Sequence, residues 1–214
     1  MIPWSYSLLA DFANCPRKAY HKFFARDLPR EPPSAAMAKG TAVHTLMEEF
    51  FARRTTTTPL PEKWYEFAKP MMEVGGRAEV KLGMDEAGGP AEFFKNPWGR
   101  GVIDVLIIHG PVAVIFDWKT GKTREDPREL HCHALLLKAN YPDVQQITGA
   151  YIWLKEDRKG KSYDLSDTSR VYYANRESVR QMESCQERGL WPETPNPLCG
   201  WCPVKQCKFN RSEK

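Results

Sequence analysis

The stretch Gly101 to Lys122, GVIDVLIIHGPVAVIFDWKTGK, restricts the fold of this chain more than any other, because two runs rich in Val and Ile meet at Gly110-Pro111. Such runs on either side of a two-residue turn read as a β-hairpin. With Gly110 and Pro111 as the loop, antiparallel pairing sets Asp104 opposite Asp117, their Cβ atoms about 5 Å apart. Lys119 lies two residues beyond Asp117 and shares its side of the strand, while Ile103, Val105, Val114 and Phe116 fill apolar layers. Like charges directly opposite are unfavourable without a counter-ion, and charges inside runs such as VLII and VAVIF are costly unless partnered. A bound Mg²⁺ or Mn²⁺ is the simplest counter-ion, leaving Lys119 to meet a substrate anion. Taken by themselves, these residues point to a metal site.

The pattern Gly101-x-Ile103-Asp104 followed by Asp117-x-Lys119-Thr120-Gly121 resembles the core motifs of the PD-(D/E)XK nuclease superfamily, and specifically its RecB-like branch. The resemblance implies an α/β fold of the restriction-endonuclease-like type, with a central mixed β-sheet that includes the hairpin and helices on both faces. It also implies that Asp104, Asp117 and the Trp118 carbonyl hold the divalent metal, and that Lys119 positions the attacking water or neutralises developing charge. Upstream, a helix expected over about Ala35 to Arg54 carries Val43, Met47, Phe50 and Phe51 at helical spacing, with His44 and Glu48 one turn apart. A histidine there is a packed core residue or a ligand. Gly40-x-x-x-His44 resembles the family's first motif, which implies that His44 is a further metal ligand and makes Glu48 a residue that supports it.

A chain of 214 residues, 42% hydrophobic and 27% charged, suits one compact domain with a substantial core. Within it we distinguish an N-terminal helical segment over 1–34, a nuclease core over 35–190 and a cysteine-rich segment over 191–214. No apolar run is long enough for a membrane span and Met1-Ile-Pro-Trp4 is unlike a signal peptide, so a cytoplasmic protein with no membrane partner is expected. A net charge of +4 says little about partners, but Arg17, Lys18, His21, Lys22, Arg26 and Arg30 interleave with Tyr20, Phe23 and Phe24. That segment is either the solvated face of an amphipathic helix or a surface for phosphates and stacked bases.

Taken in order, the sequence predicts a helix over Ser7 to Ala13, broken at Cys15-Pro16 and resumed from Pro16, and a Pro-rich linker before a cap at Ser34. Thr55 to Thr58 is a low-complexity loop, and Trp64 to Met72 a helix. Short strands are expected at Ala78 to Met84 and Phe93 to Phe94, on either side of a Gly88-Gly89-Pro90 turn. Asp126-Pro127-Arg128-Glu129 starts a helix that ends near Asn140, with Asp126 as cap and Glu129 able to complete a capping box. The same Glu129, with His133, falls where the RecB-like family has a Gln-x-x-x-Tyr motif that contacts the active site or DNA, so this sequence departs from the pattern there. A strand over Gln146 to Leu154, a charged turn over Lys155 to Lys161 and a strand over Val171 to Ala174 follow. Asn175 then caps a helix that ends at Gly189.

Six cysteines in a reducing compartment point to metal rather than disulfides. Cys132 and Cys185 read as small core residues. Cys199-x2-Cys202-x4-Cys207 is one thiol short of a closed tetrahedral site. The segment Asp11-Phe-Ala-Asn-Cys15-Pro-Arg-Lys18 resembles the N-terminal motif of iron–sulfur RecB-like nucleases, among them the CRISPR-associated Cas-four exonucleases and phage-borne relatives. The resemblance implies that Cys15, Cys199, Cys202 and Cys207 bind a [4Fe–4S] cluster; four thiolates would also hold a structural zinc. It further implies metal-dependent hydrolysis of DNA, single-stranded or with free ends. The alternative is a DNA-end-binding partner of recombination or CRISPR-adaptation proteins with little cleavage of its own.

Overall fold

The computed structural model describes residues 1–29, 32, 34–52 and 59–211. Arg30, the expected helix end at Arg54 and the Thr55 to Thr58 loop lie outside them. Two compact units are formed, one by Met1–Pro32 with Tyr172–Lys214 and the other by Pro33–Val171.

The larger unit contains α3 (Ala35–Phe51), α4 (Glu62–Glu73), β1 (Arg77–Met84), β2 (Pro90–Ala91), β3 (Gly99–His109), β4 (Val112–Lys119), α5 (Arg128–Asn140), β5 (Gln146–Trp153) and β6 (Arg158–Asp164). Its strands form one mixed sheet of six in the order β2-β1-β3-β4-β5-β6. Every neighbouring pair is antiparallel except β4 and β5. A parallel pair needs a long crossover, and α5 supplies it. The β3–β4 hairpin has the expected register, His109 opposite Val112 and Val105 opposite Phe116. Its loop is Gly110-Pro111, where Gly110 takes φ +55° and proline's ring holds φ negative, the signs of a type II′ turn that suits strand twist.

The sheet is covered on both faces. Val43 and Met47 of α3 and Ala68 and Met71 of α4 pack with Val105, Phe116, Trp118 and Ile152. On the other face, a Cβ at Gly101 would lie 2.9 Å from Leu136 Cδ1 and one at Gly149 3.5 Å from Leu130 Cδ1, so glycines let the strands approach α5 closely. Side chains as large as Trp118 and Leu136, fully buried, each contribute about 1.5–3 kcal/mol.

The smaller unit holds α1 (Tyr6–Asn14), α2 (Pro16–Ala19) running into a π-helical turn (Tyr20–Ala25), most of α6 (Ser169–Glu187) and a 3₁₀ turn (Pro197–Trp201). Ser5 caps α1, and the chain breaks at Cys15, whose backbone is extended, before Pro16 restarts the helix. Trp191 ties the two segments, its ring 4.8 Å from Phe24, 5.4 Å from Tyr20 and 6.1 Å from Phe12. The basic segment is partly exposed, at Lys22 and Arg26, and partly neutralised by carboxylates. Lys18 and Lys22 both pair with Asp11, Arg17 with Glu193, and buried His21 with Asp27.

Four local expectations are corrected. Phe93 and Phe94 lie in a turn, and the short strand is Pro90–Ala91, because Asp85 bonds the Gly89 amide and closes the β1–β2 turn earlier. The charged Lys155 to Lys161 segment is only partly a turn, since β6 starts at Arg158 as an edge strand whose outward charges keep it soluble. Val171 to Ala174 is helical: Asp167 accepts from the Ser169 amide, α6 starts there, and Asn175 is buried inside it rather than capping it. The β-propensity of a four-residue Val-Tyr-Tyr-Ala run yields to a helix whose Val179, Met182 and Cys185 are buried. Gly189, at φ +62°, ends that helix as expected. Finally, Asp126 accepts from the Arg128 amide, but Glu129 does not cap α5. Among the described residues no helix is long and apolar enough to cross a membrane.

Candidate active site

The hairpin ladder stops at Val105–Phe116, one step short of the two aspartates, and the strands part there. Asp104 fills the opening by accepting the Trp118 amide at 2.8 Å through Oδ2. Its Oδ1 lies 3.4 Å from His44 Nδ1, so α3 brings its histidine to the sheet. Glu79 Oε1 is 3.3 Å from the same nitrogen.

Glu79 is the residue that sequence reasoning missed. It lies on β1 between Ala78, opposite Val105, and Val80, opposite Ile103, which places it across from Asp104. Its φ is +51°, a left-handed backbone inside a strand, strained for a residue with a side chain and characteristic of functional positions. No local pattern in Arg-Ala-Glu-Val-Lys marks it; only the β1–β3 register would have exposed it. Among the described residues, His44, Glu79 and Asp104 bring one ligand atom each within 4.8 Å of one another. One imidazole and two carboxylates are a donor set for a divalent cation.

Asp117 stands outside that group. It is buried, with Oδ1 2.8 Å from Lys119 Nζ, and Lys119 also reaches Glu129 Oε2 at 2.7 Å. Glu129 therefore holds the lysine from α5 instead of capping the helix. His133, one turn on, is buried, and its Nδ1 has no hydrogen-bond partner among the described residues. The Trp118 carbonyl belongs to the strand between Asp117 and Lys119. Glu48, one turn beyond His44, takes no part in the ligand group.

The charges are strongly interdependent. Hydrogen bonds to Asp104 and then to Glu79 push the His44 imidazole up to about 10, overcoming its partial burial. Burial alone would raise Asp104, but His44, the Trp118 amide and Lys119 hold it below the usual carboxylate range. Asp117 is different: burial, and then the neighbouring Asp104 carboxylate, push it well above that range despite Lys119. Lys119, although half-buried, is raised by the carboxylates of Asp117 and Glu129 and keeps its proton. Two of these effects pull against each other, since a protonated Lys119 should favour ionised Asp117. Burial beside the Asp104 carboxylate outweighs the Lys119 ammonium, and Asp117 stays raised. A divalent ion is the group that would bring it down.

The site sits at one end of a β-hairpin, built from two aspartates, a lysine and a helix-borne histidine on a mixed sheet sandwiched by helices. The profile of the PD-(D/E)XK nuclease superfamily matches residues 3–81 and 72–207, and the chain belongs to that superfamily. Similarity to a curated protein, the Gene 69 protein of Mycobacterium phage L5, is 30% identity over 110 residues. That match spans 49% of this chain but 37% of the phage protein, so the chain spans well under half of that relative's length. Two solved structures align at a TM-score of 0.46 each. One, designated SSO0001, is 13% identical and covers 94% of this chain and 85% of its own. The other, an Eubacterium rectale protein named for a supposed exonuclease activity, is 14% identical and covers 99% and 88%.

Proposed function

We propose that this protein is a divalent-metal-dependent deoxyribonuclease, most suited to exonucleolytic hydrolysis of DNA that is single-stranded or has free ends. The observation that carries this reading is the convergence of His44, Glu79 and Asp104 beside the Asp117–Lys119 pair at the point where the hairpin opens. His44, Glu79, Asp104, Asp117 and the Trp118 carbonyl would hold Mg²⁺ or Mn²⁺, which supplies an acidified water and charge for the scissile phosphate. Lys119, kept protonated by two carboxylates, offers its ammonium to the phosphate or to the attacking water. Glu129 fixes where that ammonium points. End-labelled single- and double-stranded DNA incubated with Mn²⁺, and in parallel with chelator, tests the proposal: ladder or mononucleotide products with metal alone are expected, and intact DNA in both refutes it.

We further propose that Cys15, Cys199, Cys202 and Cys207 bind a [4Fe–4S] cluster. All four thiols, half-buried, line one cavity of about 200 Å³ in the smaller unit. A single zinc, held tetrahedrally by the same four thiolates at Zn–S bonds of ~2.3 Å, is the alternative occupant. The Asn196 amide donates to Cys199 Sγ at 3.4 Å, the kind of contact that stabilises a ligating thiolate.

One observation favours a second reading, a DNA-end-binding partner in recombination or CRISPR adaptation with little cleavage. The family's glutamine position carries Glu129, whose charge is committed to Lys119. The same assay decides, since retention of labelled ends without products supports that reading.

A further inference from the structure

The β1–β3 pairing outlasts the hairpin. The last β3–β4 pair is Val105–Phe116, whereas β1 and β3 stay paired to Met84–Gly99, so a ribbon runs on past the metal-ligand group. One face of it is spent on α5: Leu82 and Met84 are buried and Gly101 meets Leu136. Alternation places Lys81 of β1 and Arg100 of β3 on the opposite face of this ribbon, and Glu79 and Asp104 lie further along the same two strands, where the ribbon meets β4. Lys81 is two residues from Glu79 and Arg100 four from Asp104, roughly 7 and 13 Å along the strands.

Gly83 lets the chain fold back across this face. A Cβ there would sit 2.6 Å from the Ala91 carbonyl oxygen and 3.2 Å from Pro97 Cβ. The folded-back segment carries Phe93 and Phe94, edge to face at 4.8 Å, and Phe94 is 76% exposed. Arg100 lies 5.6 Å from the Phe93 ring centre and Lys81 5.8 Å from that of Phe94. Lys95 is engaged by Glu92, but among the described residues neither Lys81 nor Arg100 has a carboxylate within ion-pair distance. An exposed ring beside a half-buried one, flanked by uncompensated cations, suits bases and phosphates, because an apolar protein partner would have to bury both charges.

We propose that this ribbon face seats the nucleotides of a single DNA strand next to the one at the metal-ligand group, with a base stacked on Phe94 and phosphates held by Lys81 and Arg100. The proposal rests on the nuclease reading above and adds the track that feeds that site.

The test uses the full chain and two double variants, Phe93→Ala/Phe94→Ala and Lys81→Ala/Arg100→Ala. Affinity for labelled oligothymidylate and for blunt duplex is measured by anisotropy with Ca²⁺ present, and turnover of bis(p-nitrophenyl) phosphate with Mn²⁺. The phenylalanine variant is expected to weaken single-strand binding by about fivefold or more, the low end for one lost stacked base, with a smaller effect on duplex. The lysine–arginine variant is expected to flatten the salt dependence of binding. Both should hydrolyse bis(p-nitrophenyl) phosphate at the parent rate, because that ester is too small to reach the ribbon. Single-strand affinity within about twofold of the parent in both variants overturns the proposal and assigns the patch to a protein partner. Equal losses on duplex and single strand overturn the stacking role. If the parent cleaves neither DNA nor the small ester, the nuclease reading fails, while the affinities still decide the ribbon.

Discussion

Lys119 shows how the site works at the scale of single residues, since it is half-buried and held between Asp117 at 2.8 Å and Glu129 at 2.7 Å. Replacing Asp104 or Asp117 with alanine is expected to remove most cleavage and to weaken Mn²⁺ binding measured by calorimetry. Lys119→Ala should remove cleavage but spare the metal. Glu79→Ala should lower Mn²⁺ affinity by about tenfold or more if its carboxylate is a ligand; unchanged calorimetry would return Glu79 to a purely structural role. Glu129→Gln keeps an acceptor for Lys119 and removes a negative charge near the phosphates. DNA affinity should hold or rise across a salt titration. Loss of metal binding in that variant would show instead that Glu129 is itself a ligand.

At the scale of elements, the N-terminal kink depends on one carboxylate. Asp11 of α1 pairs with Lys18 of α2 at 2.7 Å and with Lys22 of the π-helical turn at 2.6 Å, so it braces both sides of the break at Cys15. Burial opposes its charge, but the two lysines prevail and hold the carboxyl below its ordinary 3.8. A lowered folded value means that the unfolded chain takes up its proton first as pH falls. The stabilisation is therefore complete above about pH 4 and disappears as the pH drops through the folded value. Asp11→Asn should cost about 1 kcal/mol in urea unfolding at pH 7, and the difference from the parent should close toward pH 3. A gap of the same size at both pH values would rule out the ion pairs as its source. The strand and helix misreadings share a cause: Val171 to Ala174 and Phe93 to Phe94 are short apolar runs, and period alone does not say whether such runs become strand, helix or turn.

For the whole molecule, the decisive matter is how the chain ends are held. Residues before 33 and after 171 form one unit although most of the sequence separates them, and Cys15, Cys199, Cys202 and Cys207 line its cavity. Cross-linking positions so distant restricts the unfolded chain, and a cluster there would stabilise the unit strongly. Protein purified without air is expected to be brown, with broad absorption near ~400 nm. Serine at any of the four positions should bleach it and lower the melting temperature, whereas serine at the buried Cys132 or Cys185 should leave the colour. About one zinc per chain with no iron or sulfide would overturn the cluster and leave the four-thiol arrangement.

Local chemistry determined the hairpin, its Gly110-Pro111 turn and the breaks at Pro16 and Gly189, because strand propensity, proline geometry and a left-handed glycine act within a few residues. The same local rule carried the register as far as Val105 opposite Phe116, the pair just before Asp104 and Asp117, since a two-residue loop fixes the ladder that grows from it. His44 could be singled out from its helix, but the 3.4 Å approach to Asp104 required α3 to pack on the sheet. Glu79, the Glu129–Lys119 pair and the Phe93–Phe94 fold-back were decided only in the tertiary structure. Each depends on a partner from a distant segment, and on strand pairings and burial whose energies no short stretch of sequence contains.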